Sequence, residues 1–185
     1  VASSIFPGGN VMDLHDFDVN DLYFESPPAP RVLELLEQAA QAYGAGGAEP
    51  YLQQAQALAP DNLTVHVALY RFYYYQHRYA DALSVAECAI GLSGRLFGYR
   101  GHWRRMTLEI LAHGMVRSFG MVRFYLLALK GAGYLQLRQG EIAAGVERLE
   151  KVRELDAADR LNVAMLLEVA YNRMGIYTLK RRMTA

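Results

Sequence analysis

Apolar residues recur at three- and four-residue intervals along most of this chain, the period of a helix face. Val32, Leu35, Leu36 and Ala39 form the first such stripe. Gly44, Gly46 and Gly47 end it. A second helix is predicted over residues 50–58, with Pro50 tolerated in its first turn. The run Ala59-Pro60-Asp61-Asn62 closes that helix and caps the next, over residues 63–75. Gln76-His77-Arg78 makes a turn, and a fourth helix is predicted over residues 79–92. Residues 110–129 form the most apolar stretch. Arg117 and Arg123 interrupt it, and a central charge costs about 2.5–3.5 kcal/mol on insertion scales, so it reads as a buried helix and not a membrane span. Period-two alternation of useful length is missing. The pattern predicts an all-α chain of helical hairpins.

The first 30 residues break this pattern. They hold Asp13, Asp16, Asp18, Asp21 and Glu25, no Lys or Arg, and end in Pro27, Pro28 and Pro30. Proline fixes φ and restricts the residue before it, so this reads as an arm, followed by a helical domain over residues 31–185. Leu22, Tyr23 and Phe24 could anchor the arm to the body. Asp16-Phe17-Asp18-Val19-Asn20 alternates oxygen ligands as a calcium loop does. Such a loop would need Gly where Asp21 stands and Glu where Pro27 stands, so a calcium site is disfavoured.

Small residues repeat at fixed distances. Ala48, Leu52, Ala55 and Pro60 are followed 34 positions later by Ala82, Ala86, Ala89 and Gly94, and after a further 63 by Gly145, Leu149, Val152 and Ala157. Small side chains at such slots let two helices approach closely. The 34-residue helix–turn–helix period resembles the tetratricopeptide (TPR) repeat. His77-Arg78-Tyr79-Ala80-Asp81-Ala82-Leu83 resembles the turn and second-helix start of that repeat. Gln139-Gly140-Glu141-Ile142-Ala143-Ala144-Gly145-Val146 is a looser copy. Glu154-Leu155-Asp156-Ala157-Ala158-Asp159 is similar to its Leu-Asp-Pro-Asn connection. The resemblance covers residues 31–96 and 126–175. Residues 97–125 read as an irregular or degenerate repeat, and the tail after Gly175 as a cap.

The resemblance implies an α-solenoid of three to four hairpins, wound as a right-handed superhelix, with a concave groove lined by first helices. Spacing puts Val67, Arg71, Tyr74 and Tyr75 on that surface, then Lys130, Tyr134, Leu137 and Arg138, then Ala164, Glu168, Tyr171 and Asn172. Tyrosine supplies rigid area with a polar tip and Arg a donor fork, so these positions suit partner recognition. In the run 70–75, Tyr70 and Tyr73 are expected to fill the interior, leaving Tyr74 and Tyr75 to the groove. The family's Lys/Asn clamp for chaperone carboxylates falls on Leu33, Glu37, Val67 and Arg71, and that match fails.

Composition narrows the function. The chain of 185 residues is 52% hydrophobic and 21% charged, with 19 basic and 19 acidic residues. That excludes an intrinsically disordered chain and gives no electrostatic ground for nucleic-acid binding. One cysteine, Cys88, excludes an internal disulfide; it fits a reducing, cytoplasmic setting and is equally compatible with export. Its position beside Ala89 reads as a buried, inert thiol. Abundant Ala and a basic complement dominated by Arg suit a GC-rich bacterial genome. His15, His66, His77, His102 and His113 form no i,i+4 pair, so neither a metal nor any other cofactor is indicated. No nucleophile–base constellation assembles. Neutrality conceals two opposed regions: the acidic arm, and residues 95–123, where Arg95, Arg100, Arg104, Arg105, Arg117 and Arg123 face only Glu109. Arg95, Arg100, Arg104 and Arg105 form a candidate docking patch.

These readings converge on a non-catalytic protein-interaction module, a scaffold, adaptor or chaperone that captures a peptide or helix in its groove. The alternatives are a self-associating subunit, with the acidic arm docking on a neighbouring copy, or a small-ligand protein with an all-α pocket near Tyr134, Arg138 and Tyr171.

Overall fold

The computed structural model describes residues 28–175. The arm up to residue 27, its calcium-like stretch and the tail after Gly175 lie outside the described residues. Eight α-helices account for the described chain, with no β-strand among the described residues. They are α1 (Pro30–Ala42), α2 (Glu49–Leu58), α3 (Leu63–Tyr75), α4 (Tyr79–Leu96), α5 (Leu108–Arg117), α6 (Phe119–Gln139), α7 (Ile142–Leu155) and α8 (Val163–Arg173).

Local chemistry sets most boundaries. Pro30 opens α1, where its missing N–H is no loss. Gly46 (φ 73°) turns the chain between α1 and α2. The Asn62 side chain caps α3 by accepting from the Val65 amide at 3.2 Å. Gly140 (φ 85°) ends α6 in the left-handed conformation that glycine adopts without penalty. Asp159 accepts from the Val163 amide at 2.7 Å and starts α8.

The helices pack in chain order: α1 on α2, α2 on α3, α3 on α4, α4 on α6, α6 on α7 and α7 on α8. The exception is α5, which leans on α6 outside this series. The small-residue slots lie where the helices close. Ala48, Ala55, Ala82, Ala86 and Ala89 are fully buried, and so are Leu149 and Val152. A methyl at Gly145 would meet the Gly133 carbonyl oxygen at 2.8 Å, so α6 and α7 approach almost to backbone contact. Along α6 every residue from 121 to 137 except Arg123 is buried, because α4, α5, α7 and α8 all pack against it.

Two expectations need correction. The apolar stretch 110–129 is not one helix. Ser118 breaks it, capping α6 through the Met121 amide at 3.3 Å, so the stretch divides between α5 and α6. Cys88 is exposed: it stands one residue, about 100°, from Ala89 and so leaves the packed face.

Residues 97–107 are irregular, and cation–aromatic contacts fix them. Trp103 is buried between two guanidiniums, with the Arg104 and Arg148 carbons 4.4 and 4.9 Å from its ring centroid. Arg104 pairs with Glu147 on α7, and Arg148 pairs with Glu87 on α4 at 2.6 Å. A second tie joins the first two hairpins. Arg78 pairs with Glu49 on α2, with both contacts at 2.8 Å.

Candidate functional site

The aromatic run on α3 distributes as a helix requires. Tyr70 and Tyr73 are buried, Tyr74 is half-buried and Tyr75 is 52% exposed. Tyr74 is the hub of an aromatic cluster. Its ring centroid lies 6.1 Å from Tyr70, 5.8 Å from Tyr75, 6.2 Å from Tyr79 and 6.4 Å from Tyr134. The cluster therefore joins α3, the start of α4 and the middle of α6.

Arg138 completes it from the last turn of α6. Its guanidinium carbon sits 4.7 Å from the Tyr79 ring centroid and 5.9 Å from that of Tyr134. One terminal nitrogen donates to the Tyr134 hydroxyl at 3.0 Å, and the other donates to the Tyr79 hydroxyl. Burial pulls this guanidinium's pKa down, while hydrogen bonding to Tyr134 and the nearby phenols push it up. The balance lies above its ordinary value, so the half-buried group keeps its charge. Guanidinium has five N–H donors, and the two phenols use two, which leaves donors for a carboxylate or backbone carbonyl. His77, in the preceding turn, lies 2.9 Å from the Tyr79 hydroxyl through Nδ1.

Four expected groove residues thus come together: Tyr74, Tyr75, Tyr134 and Arg138. Tyr79 joins them and was not assigned to the groove from spacing. Its signal was the turn motif His77-Arg78-Tyr79, which places an aromatic ring at the first residue of α4. Arg71 is half-buried on the same helix as Tyr74.

Lys130 does not belong on an open surface. Its side chain is 0% exposed, and its ammonium donates to the Leu161 carbonyl at 2.5 Å. Spacing put it at a groove position, but α8 and its preceding loop cover that turn of α6. Glu168, Tyr171 and Asn172 lie on α8, with Glu168 and Asn172 exposed. The Tyr171 hydroxyl donates to Glu150 on α7 at 2.5 Å, and burial followed by that carboxylate raises its pKa.

The basic patch is partly neutralised within the fold. Arg95 pairs with Asp61 at 3.2 Å, and Arg104 is held by Glu147. Arg100 and Arg105 are exposed. Among the described residues no helix is long and apolar enough to cross a membrane.

A cavity of about 580 Å³ lies away from the tyrosine cluster and opens between α5, α6 and the α7–α8 connection.

Sequence comparison finds a similar protein, described as the "Uncharacterized 19.8 kDa protein in nifW 5'region" of Azotobacter chroococcum mcd 1. The two are 49% identical over 158 residues, which covers 85% of this chain and 88% of the relative. No family model matches the chain, and no solved structure matches it.

Proposed function

The chain belongs to the same family as the 19.8 kDa protein of the nifW 5'region of Azotobacter chroococcum mcd 1, and for it we propose a non-catalytic, protein-binding role. It acts as a scaffold, adaptor or chaperone built on TPR-like hairpins that wind as a right-handed superhelix. Its partner is a peptide or helix seated on the face that Tyr74, Tyr75, Tyr79, Tyr134 and Arg138 share.

The observation that carries this reading is the tyrosine–arginine cluster itself. Three helices supply it, and it combines rigid aromatic area with a charged fork that still has donors to spare. That is the composition of an interface hot spot. A partner segment with an apolar side chain beside an Asp or Glu fits it best. The chain-order packing of the helices and the buried small residues at 34- and 63-residue spacing support the repeat reading. An exposed lone thiol at Cys88 is in keeping with a cytoplasmic setting. Products of the nifW region are the first partners to test, because a relative is encoded there.

The test is affinity purification from the native host with the wild-type chain and a Tyr134→Ala/Arg138→Ala variant. The wild type retains a defined partner, and the variant loses it while keeping its helical circular dichroism spectrum. Equal recovery by both would remove the cluster from the binding surface.

A further inference from the structure

The helix that stands outside the packing series, α5, turns an apolar face to solvent. Its inward side is set by Leu111, which is buried, and by Gly114, where a methyl would meet the Phe97 ring at 2.6 Å. Round the helix from these, Leu108 is 54% exposed, Met115 41% and Val116 90%. Ala112 stands exposed between them, and Phe119, just past the helix end, is 60% exposed. Together these side chains present roughly 400 Å² of contiguous apolar surface, a patch of the size that marks an interaction site.

The charges beside this patch are complementary to each other. Leu108 and Met115 flank it on the side of the cavity between α5, α6 and the α7–α8 connection. Glu109 and Arg117 flank it on the other side, both exposed and eight residues apart. Neither forms an ion pair among the described residues. Glu109 is also the sole acid within residues 95–123.

A second copy of α5 supplies what this face lacks. Across a two-fold axis residue i meets j and j meets i, so an antiparallel pair brings like flanks together. With the axis near Ala112, Val116 lies over the partner's Leu108 at the lip of the partner's cavity. On the opposite flank Glu109 faces the partner's Arg117. The small side chain of Ala112 at the crossing lets the two helices close, and their dipoles run in opposite senses. A parallel pair would instead set Glu109 against Glu109 and Arg117 against Arg117. Two such patches with their charged rims amount to about 1,000 Å², the size at which a biological interface begins.

We propose that the protein forms a two-fold symmetric dimer through antiparallel α5 helices, with Val116 seated at the partner's cavity lip and Glu109 paired with the partner's Arg117. This surface shares no residue with the tyrosine–arginine face, so its test is independent of the partner-binding role.

Light scattering and sedimentation equilibrium of the full-length chain across a dilution series test this. The wild type should dimerise. Val116→Glu, at a position open to solvent, should raise the dimer dissociation constant at least about tenfold while the helical circular dichroism spectrum stays unchanged. Glu109→Arg should weaken the dimer by about tenfold as well, and adding Arg117→Glu should restore it. Met165→Glu, exposed on α8, should leave the dimer intact. In a Cys88→Ser background, Ala112→Cys should give a disulfide-linked dimer on mild oxidation, and Leu58→Cys should not. A monomer at every concentration would overturn the proposal. So would a dimer that survives Val116→Glu, or a double charge reversal that restores nothing.

Discussion

Replacing Gly145 by Ala should destabilise the protein, although Ala is the better helix former. Inside α7 the substitution gains about 0.8–1.0 kcal/mol of helix propensity. The added methyl, however, would lie 2.8 Å from the Gly133 carbonyl oxygen and 2.7 and 2.9 Å from two carbons of Leu137. The leucine can rotate away. The carbonyl cannot, because α6 is buried along that whole stretch and a shift would disturb its packing on α4. Overpacking of this kind costs about 1–3 kcal/mol, so after the propensity gain a net loss of up to about 2 kcal/mol is expected. At this chain length each kcal/mol moves the melting midpoint by about 2–4 °C. Gly91→Ala is the matched control. Its methyl would meet only the mobile end of Arg95, at 3.6 Å, on an exposed part of α4. It should stabilise by about 0.5–1 kcal/mol. Urea unfolding followed by circular dichroism reads both. If Gly145→Ala matched or exceeded the wild type, the close approach of α6 and α7 would be wrong.

Three further outcomes follow from the geometry. Lys130→Ala removes a fully buried stem and the donor to Leu161, and should cost about 2–5 kcal/mol in the same urea assay. His66 is buried with Nδ1 2.9 Å from the Asn62 carbonyl, and burial holds its pKa below the ordinary 6.5. The folded state therefore binds the proton less readily than the unfolded one. Stability is full above about pH 6.5 and falls as pH drops below it, and His66→Gln should flatten that slope in melting curves taken between pH 7.5 and about 5. Cys88 is exposed, so a thiol reagent should modify it in the native protein as completely as in urea.

The sequence disclosed those helix ends that local chemistry makes. Pro30, the glycines before α2, Asn62 and Gly140 each act within a few residues, so the boundaries of α1 to α3 and the end of α6 were readable. What failed depends on distant partners. The break at Ser118 was hidden because it falls inside a longer, mostly apolar run. Lys130 was misplaced because α6 is enclosed all round, and such a helix has no polar face for periodicity to reveal. The basic patch looked uniform, yet Arg95 and Arg104 find their acids 34 and 43 residues away. Within the candidate site, spacing alone assembled Tyr74, Tyr134 and Arg138. Tyr79 completes the set from the adjoining turn, outside the positions that the repeat spacing assigns to the groove.

The central claim is that the tyrosine–arginine face holds a partner segment. A photo-reactive phenylalanine analogue at position 75, the exposed edge of the cluster, tests it in native extract. The account predicts one defined cross-linked partner, lost when Arg138→Ala is added and missing when the analogue stands at position 58 on α2. Cross-linking that is unaffected by Arg138→Ala, or equal at the two positions, would contradict it.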